Sequence, residues 1–492
     1  MEFFCDSKYI AFPVSRSAVS KNVRFYIENE FVLDLNISID NISPEYTAYY
    51  DVQRFYGKNI TLKCVPEADF DIIKSDVMPK IQEPYRPKIH FSPPSGWLND
   101  PNGLVFKDGK YHMYYQHNPV GTNWGNMHWG HSVSKDLFCW THLDEALFPT
   151  ERGTAFSGCA IVNKSGETQL FFTAAGGTSL LSEGKPFTQC IAGYENNPVI
   201  LQIEEGNRDP KIIYHKKTER YIMALYLSGC KYALLSSENL KNWSKFQEIE
   251  LEGDAECPDL YPLLLDNDPD REKWVLTGAK DKYIIGNFDG FKFTPETKTQ
   301  TLEQGNIFYA SQTWSDTPGR TIRIGWCRFN IPSKSFQGCM SVPCEMSLKS
   351  TKNGMRLCTY PVPEIQTLYE STMYFDEVPA TVPLNPCAYD IEFELCASAR
   401  LCIFGTAVDF DMQAGKILCG KSEAVLYSED KTISVRIISD TPGLEIFAQN
   451  GEVYLIAESP ADYNANRLEI TPISGGAAVK NLKIRELKNV LC

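Results

Sequence analysis

An all-β architecture is predicted: a five-bladed β-propeller with a C-terminal β-sandwich and a small N-terminal β-module. Three observations predict it. Long amphipathic helical patterns are nearly absent. Short alternating runs bounded by Gly, Pro, Asp and Asn dominate, as in Tyr111-His112-Met113-Tyr114-Tyr115 and Tyr221-Ile222-Met223-Ala224-Leu225. The middle of the chain repeats a polar turn followed by an apolar strand.

In chain order, the N-terminal flank over 1–84 carries strand-like runs such as Val23–Ile27 and Ile60–Cys64, which suit a small β-module. Pro79 to Pro87, with Glu83-Pro84-Tyr85-Arg86-Pro87, reads as a linker. The repeat then begins. Its turns are Lys107–Tyr111, Lys164–Thr168, Lys217–Tyr221, Asp270–Trp274 and Gly319–Arg323, spaced by 49 to 57 residues. A second echo relates Ser134–Trp140 to Ser237–Trp243 at an offset of 103 residues, two such periods. Repeats of this length with four short strands each are the pattern of propeller blades. Five copies predict five blades in a domain over 85–362. The tail over 370–492 alternates too, as in Tyr389–Leu395 and Thr432–Ile438. It lacks clustered catalytic side chains, and a β-sandwich is expected there.

Composition narrows the function. The chain has 492 residues, too many for one ordinary core. A net charge of −14 argues against nucleic-acid backbones and anionic membranes and fits a neutral substrate. Twenty-seven Phe, 25 Tyr and 8 Trp supply rings of the kind that stack on sugars. The N-terminus Met1–Lys8 shows no basic stretch followed by an apolar run, and no 18-residue apolar stretch occurs. Sixteen scattered cysteines without Cys-x-x-Cys are expected to be reduced thiols of a cytoplasmic protein, or of a secreted one had a leader been removed. The chain is compatible with a monomer or a homo-oligomer.

Three carboxylates occupy unusual settings. Asp100 lies in Asn99-Asp100-Pro101-Asn102-Gly103, where Pro101 forbids a helix and argues against a central strand, so a turn is expected. Asp209 lies in Asn207-Arg208-Asp209-Pro210, ordinarily a salt-bridged turn. Glu256 precedes Cys257-Pro258, ordinarily an exposed edge. Their intervals of 109 and 47 residues are about two blades and one blade, so all three can face one funnel. Paired carboxylates across a glycosidic bond are what its cleavage needs, one of them holding a proton at neutral pH. Glu256 has the less polar neighbours, which favours it as the acid. Trp97, Trp124, Trp129, Phe156 and Trp326 are candidates to stack on a sugar. Trp124–His131, with two Trp, two His and two Gly, looks a poor core strand. His128-x-x-His131 lacks a zinc-ligand spacing, and three-apart residues of a strand face opposite ways, so no metal and no cofactor are expected.

These residues together resemble glycoside hydrolase family 32, the invertases, inulinases and levanases. The signature reads His90, Pro93, Leu98 and Asn99–Gly103. It is followed in order by Trp124–His131, Phe156-Ser157-Gly158, Arg208-Asp209-Pro210, Glu256–Leu260 and Tyr309–Thr313. The N-terminal segment resembles the module ahead of some bacterial fructan hydrolases of that family. The resemblance implies a retaining mechanism on sucrose or fructan, without a cofactor. Asp100 would be the nucleophile, Glu256 the general acid/base and Asp209 the transition-state stabiliser. Asn99, Gln116, Trp124, Ser157 and Arg208 would hold the terminal fructose. Gln189–Val199 and the segment around Glu151-Arg152-Gly153 depart from the family pattern and bear on leaving-group preference. A fructosyltransferase of the same fold and a non-catalytic sugar-binding module are the alternatives.

Overall fold

The computed structural model describes all residues except 69, 82, 177–182, 428–430, 474–477 and 491–492. Five antiparallel sheets follow one another through the middle of the chain and form the propeller. Their first strands are Gly96–Lys107, Thr154–Val162, Arg208–His215, Asp259–Leu264 and Phe308–Thr313. Each heads the order of its sheet, except that Phe336–Gln337 adds in parallel outside Gly96–Lys107. That pairing joins the last blade to the first.

All five repeat turns fall at the same place, the hairpin between the first and second strands of a blade. In blade 1, Asp108 and Gly109 are both left-handed, as a two-residue hairpin loop requires. The second echo is equally regular. In blade 1, Asp136 accepts the backbone N–H groups of Phe138 and Cys139, and the Trp140 indole donates to the Leu137 carbonyl at 2.9 Å. In blade 3, Asn239 accepts those of Lys241 and Asn242, and Trp243 donates to Leu240 at 2.9 Å. Blade 2 differs from the four-strand expectation: among the described residues its sheet has three strands.

The expected turn at Asn99–Gly103 is instead part of a strand, the first of blade 1. Two irregularities in its pairing, between Leu98 and Pro101 and between Asn102 and Val105, admit the proline and the glycine. A first strand pairs along most of its length on one side only, so the N–H that Pro101 lacks is not missed. The segment His128–Ser134 is likewise a core strand, contrary to expectation. Gly130 permits it, because a Cβ there would sit 2.3 Å from the Tyr115 ring.

Two six-stranded sheets follow and pack their apolar faces together around residues such as Ile391, Phe393, Leu401 and Phe410, forming the sandwich. At the N-terminus a four-stranded and a three-stranded sheet enclose a separate small core. Val120, from a blade 1 loop, completes that core. Among the described residues no helix is long and apolar enough to cross a membrane.

Candidate active site

The starts of the first strands carry the unusual side chains, and each start is irregular. Pairing shifts occur at Leu98/Pro101 in blade 1, Ala155/Gly158 in blade 2, Arg208/Lys211 in blade 3 and Tyr309/Gln312 in blade 5. Blade 4 achieves the same just ahead of its strand, where Glu256 and Cys257 are left-handed at φ 58° and 38°. Asp209 and Ala310 are left-handed too, at φ 61° and 52°. A bulge inserts an unpaired residue and re-aims its side chain. Left-handed backbone at non-glycine residues is costly and persists where its surroundings enforce it.

The bulges bring the three carboxylates together through one residue. The Cys257 N–H donates to Asp209 Oδ2 at 3.1 Å. Its Sγ lies 3.5 Å from Asp209 Oδ2 and 3.6 Å from Asp100 Oδ2. Asp100 accepts further bonds from Ser157 Oγ at 2.6 Å and Asn99 Nδ2 at 3.0 Å. Asn99 is itself oriented by the Trp97 indole N–H at 2.8 Å. Arg208 donates from Nε and Nη2 to Glu256 Oε1 at 3.1 and 2.7 Å. It is fixed from behind by the Gly206 carbonyl at 2.6 Å and packs over the Tyr226 ring at 4.7 Å. The Tyr309 hydroxyl donates to the other Glu256 oxygen.

Burial raises the proton affinity of two of these acids. Asp209 is pushed up to about 7, by desolvation first, with Arg208 opposing and Glu256 and Asp100 adding repulsion. Asp100 is also raised by burial, against the bonds from Ser157 and Asn99. The less polar setting expected for Glu256 is not what the fold provides. Its side chain is 31% exposed and bound to Arg208 and Tyr309. Cys257 and Pro258 point to local apolarity in the sequence, but the side chains arriving from blades 3 and 5 decide the environment.

The remaining sequence candidates fall into three groups. Ser157, Asn99 and Arg208 touch the carboxylates directly. Trp124 and Phe156 meet edge to face at 5.7 Å, with Phe187 a further 6.0 Å on, forming an aromatic rim. Trp326 lies against Trp97 at 5.6 Å and Tyr309 at 6.3 Å, and its buried indole N–H has no hydrogen-bond partner among the described residues. Gln116 and Trp129 sit one layer back. Gln116 Nε2 donates to the Ala155 carbonyl at 2.9 Å, and the Trp129 indole donates to the Phe156 carbonyl at 3.0 Å. Both hold the blade 2 bulge, and Trp129, fully buried, cannot stack on a ligand as anticipated. His128 and His131 do not converge: His128 bonds Tyr50 and the Asn126 carbonyl, while His131 bonds His112. Among the described residues no group of three or more His, Cys, Asp and Glu could hold a metal ion. Cys257, Tyr309 and Phe187 were not singled out as site residues. Tyr309 and Cys257 lie within the quoted motifs, which was their one available signal.

A five-bladed propeller whose blades 1, 3 and 4 present carboxylates beneath an aromatic rim defines a carbohydrate-active class of protein. The comparisons make the family definite. The model described as the glycosyl hydrolases family 32 N-terminal domain matches residues 90–361. The chain is 31% identical over 486 residues to a levanase of Bacillus subtilis, covering 83% of this chain and 71% of that one. It is 27% identical to an extracellular exo-inulinase of Aspergillus niger, covering 82% and 94%. Among solved structures, the exo-inulinase of Aspergillus awamori superposes with a TM-score of 0.72 at 22% identity, covering 83% of this chain and 99% of that one. The chain belongs to glycoside hydrolase family 32 and is a glycoside hydrolase.

Proposed function

We propose that the protein is an exo-acting, retaining β-fructofuranosidase that releases terminal fructose from sucrose, fructo-oligosaccharides or fructan. The observation that carries this is the meeting of Asp100, Asp209 and Glu256 through Cys257 and Arg208. The similarity to a levanase and to exo-inulinases supports the choice of sugar.

In this proposal an Asp100 oxygen attacks the anomeric carbon of the fructosyl unit. The bond to the glycosidic oxygen breaks, and that oxygen takes the proton held by Glu256. Glu256, now a carboxylate, accepts a proton from water as the water oxygen displaces Asp100 from the same carbon. Fructose leaves and Glu256 is protonated again. Tyr309 and Arg208 hold the Glu256 side chain through both steps. Asp209 accepts hydrogen bonds from fructosyl hydroxyls. Burial holds the Asp209 carboxyl up to about 7, and a proton on it near neutrality lowers the repulsion between Asp209 and Asp100.

Asp100→Asn and Glu256→Gln test the assignment. Each is expected to lower turnover of sucrose and kestose by several powers of ten. Near-wild-type turnover by either variant would sink it. Product profiles at high sucrose separate hydrolysis, with free fructose as the main product, from transfer, with longer oligosaccharides.

A further inference from the structure

Glu256 must give up a proton in one step and take one back in the next, so the groups around it decide the pH range in which it can do both. Arg208, from blade 3, holds its Oε1 at 2.7 Å. Asp209 and Tyr226 of blade 3 and Asp100 of blade 1 feel its charge. Cys257 follows it in the chain and stays a neutral thiol. From blade 5 the Tyr309 hydroxyl donates to its Oε2. Burial first, and then the bond to Glu256, raises this hydroxyl above its ordinary value, so it keeps its proton and remains a donor.

Tyr309 has a charged neighbour of its own. It pairs across the blade 5 hairpin with Trp326, and Arg328 follows just past the end of that second strand, Ile322–Cys327. The Arg328 guanidinium carbon stands 4.8 Å from the centre of the Tyr309 ring. Two backbone carbonyls hold it there. Asn306, left-handed at φ 60°, accepts from Nη2 at 2.6 Å. Ile307 accepts from Nε at 3.4 Å and from the Arg328 backbone N–H at 3.0 Å. Both anchors are neutral, so the positive charge is left to act on the ring.

A cation over an aromatic face is attracted by the ring and polarises it. The phenol then donates more strongly, and a stronger bond to a carboxylate favours the ionised form of the acceptor. We propose that Arg328 is a positioning residue that acts through Tyr309: its charge over the ring strengthens the hydroxyl's bond to Glu256 and makes Glu256 a readier proton donor to the leaving group. Closing the turn at Asn306 needs no charge, since a neutral amide can donate to the same carbonyl. The proposal rests on the assignment of Glu256 as the general acid/base.

The test follows kcat/KM for sucrose against pH in the full chain. The alkaline limb of that profile marks loss of the proton that Glu256 donates. Arg328→Gln removes the charge and keeps a donor for the Asn306 carbonyl. Without the cation the carboxylate is less favoured, the proton is kept to higher pH, and the limb is expected to move up by about half a pH unit, the size of one exposed contact between a cation and a ring. Arg328→Lys keeps a cation and is expected to move it less. In Tyr309→Phe the ring stays beneath Arg328 but the hydroxyl is gone, so adding Arg328→Gln to that variant is expected to move the limb no further. A limb that Arg328→Gln leaves in place, whatever happens to the height of the profile, overturns the relay on an enzyme that still releases fructose. So does a limb that moves equally with and without the Tyr309 hydroxyl. Wild-type protein that frees fructose from neither sucrose nor kestose overturns the β-fructofuranosidase reading, and the relay with it.

Discussion

Cys257 is where three blades meet chemically. Its N–H and thiol both lie against Asp209, and the thiol also reaches Asp100. Desolvation and the three surrounding carboxylates push the thiol well above its ordinary range, so it stays a neutral packing and donor group. Asp209 pays for this company. Its carboxyl moves from 3.8 to about 7. An acid whose folded value lies above its unfolded value holds its proton more tightly when folded. Its ionisation therefore removes stability as pH rises between those two values and leaves stability unaffected below the lower one. Asp209→Asn mimics the neutral form. The variant is expected to melt near the wild-type temperature at pH 4 and above it at pH 8, as thermal unfolding at the two values would show. An equal shift at both would refute the burial argument. The three acids were legible in the sequence because Pro101, Arg208 and Pro258 mark odd backbone beside each. Tyr309 and Phe187 stand in ordinary strand and loop surroundings, and only the closing of the propeller brings one to Glu256 and the other to Arg208.

At the scale of the strand, the bulge is the unit of function. Four first strands slip register near their starts, and the fifth is preceded by two left-handed residues. Blade 2 shows how tightly a bulge is held. Gly158 donates its N–H to Asn102 Oδ1 at 3.2 Å, and its carbonyl accepts from Gln312 Nε2 at 3.0 Å, tying blades 1, 2 and 5 together. A Cβ at Gly158 would lie 1.9 Å from the Phe171 carbonyl oxygen, a backbone atom of the paired strand. Gly158→Ala must therefore move the first strand, and Ser157 leaves Asp100 with it. Overpacking of this kind costs about 1–3 kcal/mol of stability. The loss in kcat/KM is expected to be at least about tenfold, because sub-ångström placement governs the reacting geometry. A variant with a lowered melting temperature and intact kinetics would show that the bulge is structural only. The blade count was legible since hairpin turns demand Gly, Asp and Asn at fixed intervals. The bulges were not, because an extra residue in one strand leaves no period behind. The segment Asn99–Gly103 reads as a turn for that reason, although its proline and glycine are those of a bulged strand.

Across the whole molecule, His90 ties the propeller to the sandwich. It enters just ahead of blade 1, and both ring nitrogens are spent on sandwich acids. Nδ1 meets Asp440 Oδ2 and Nε2 meets Glu445 Oε1, each at 2.8 Å, with all three side chains buried. Asp440 also accepts the backbone N–H groups of Lys88, Ile89 and His90. Glu445 accepts that of Val342 at 2.7 Å. Around this clamp one apolar cluster runs from Leu98 and Phe308 in the blades to Ile438 and Phe447 in the sandwich. The two carboxylates hold His90 well above its ordinary 6.5, although burial alone opposes the charge. A base with a raised folded value contributes its full stability below its unfolded value and loses it as pH rises through the folded one. The clamp therefore holds best in acid to neutral solution and weakens toward alkaline pH. His90→Gln leaves two buried acids without their cation, a change that costs about 3–5 kcal/mol where a buried pair is broken from one side. Calorimetry of the variant at pH 6 is expected to show a lower midpoint and a separate transition for the sandwich. Above the folded value of His90 its deficit against wild type should shrink. One undivided transition at the wild-type midpoint would mean that the apolar cluster, and not the charged clamp, couples the two units.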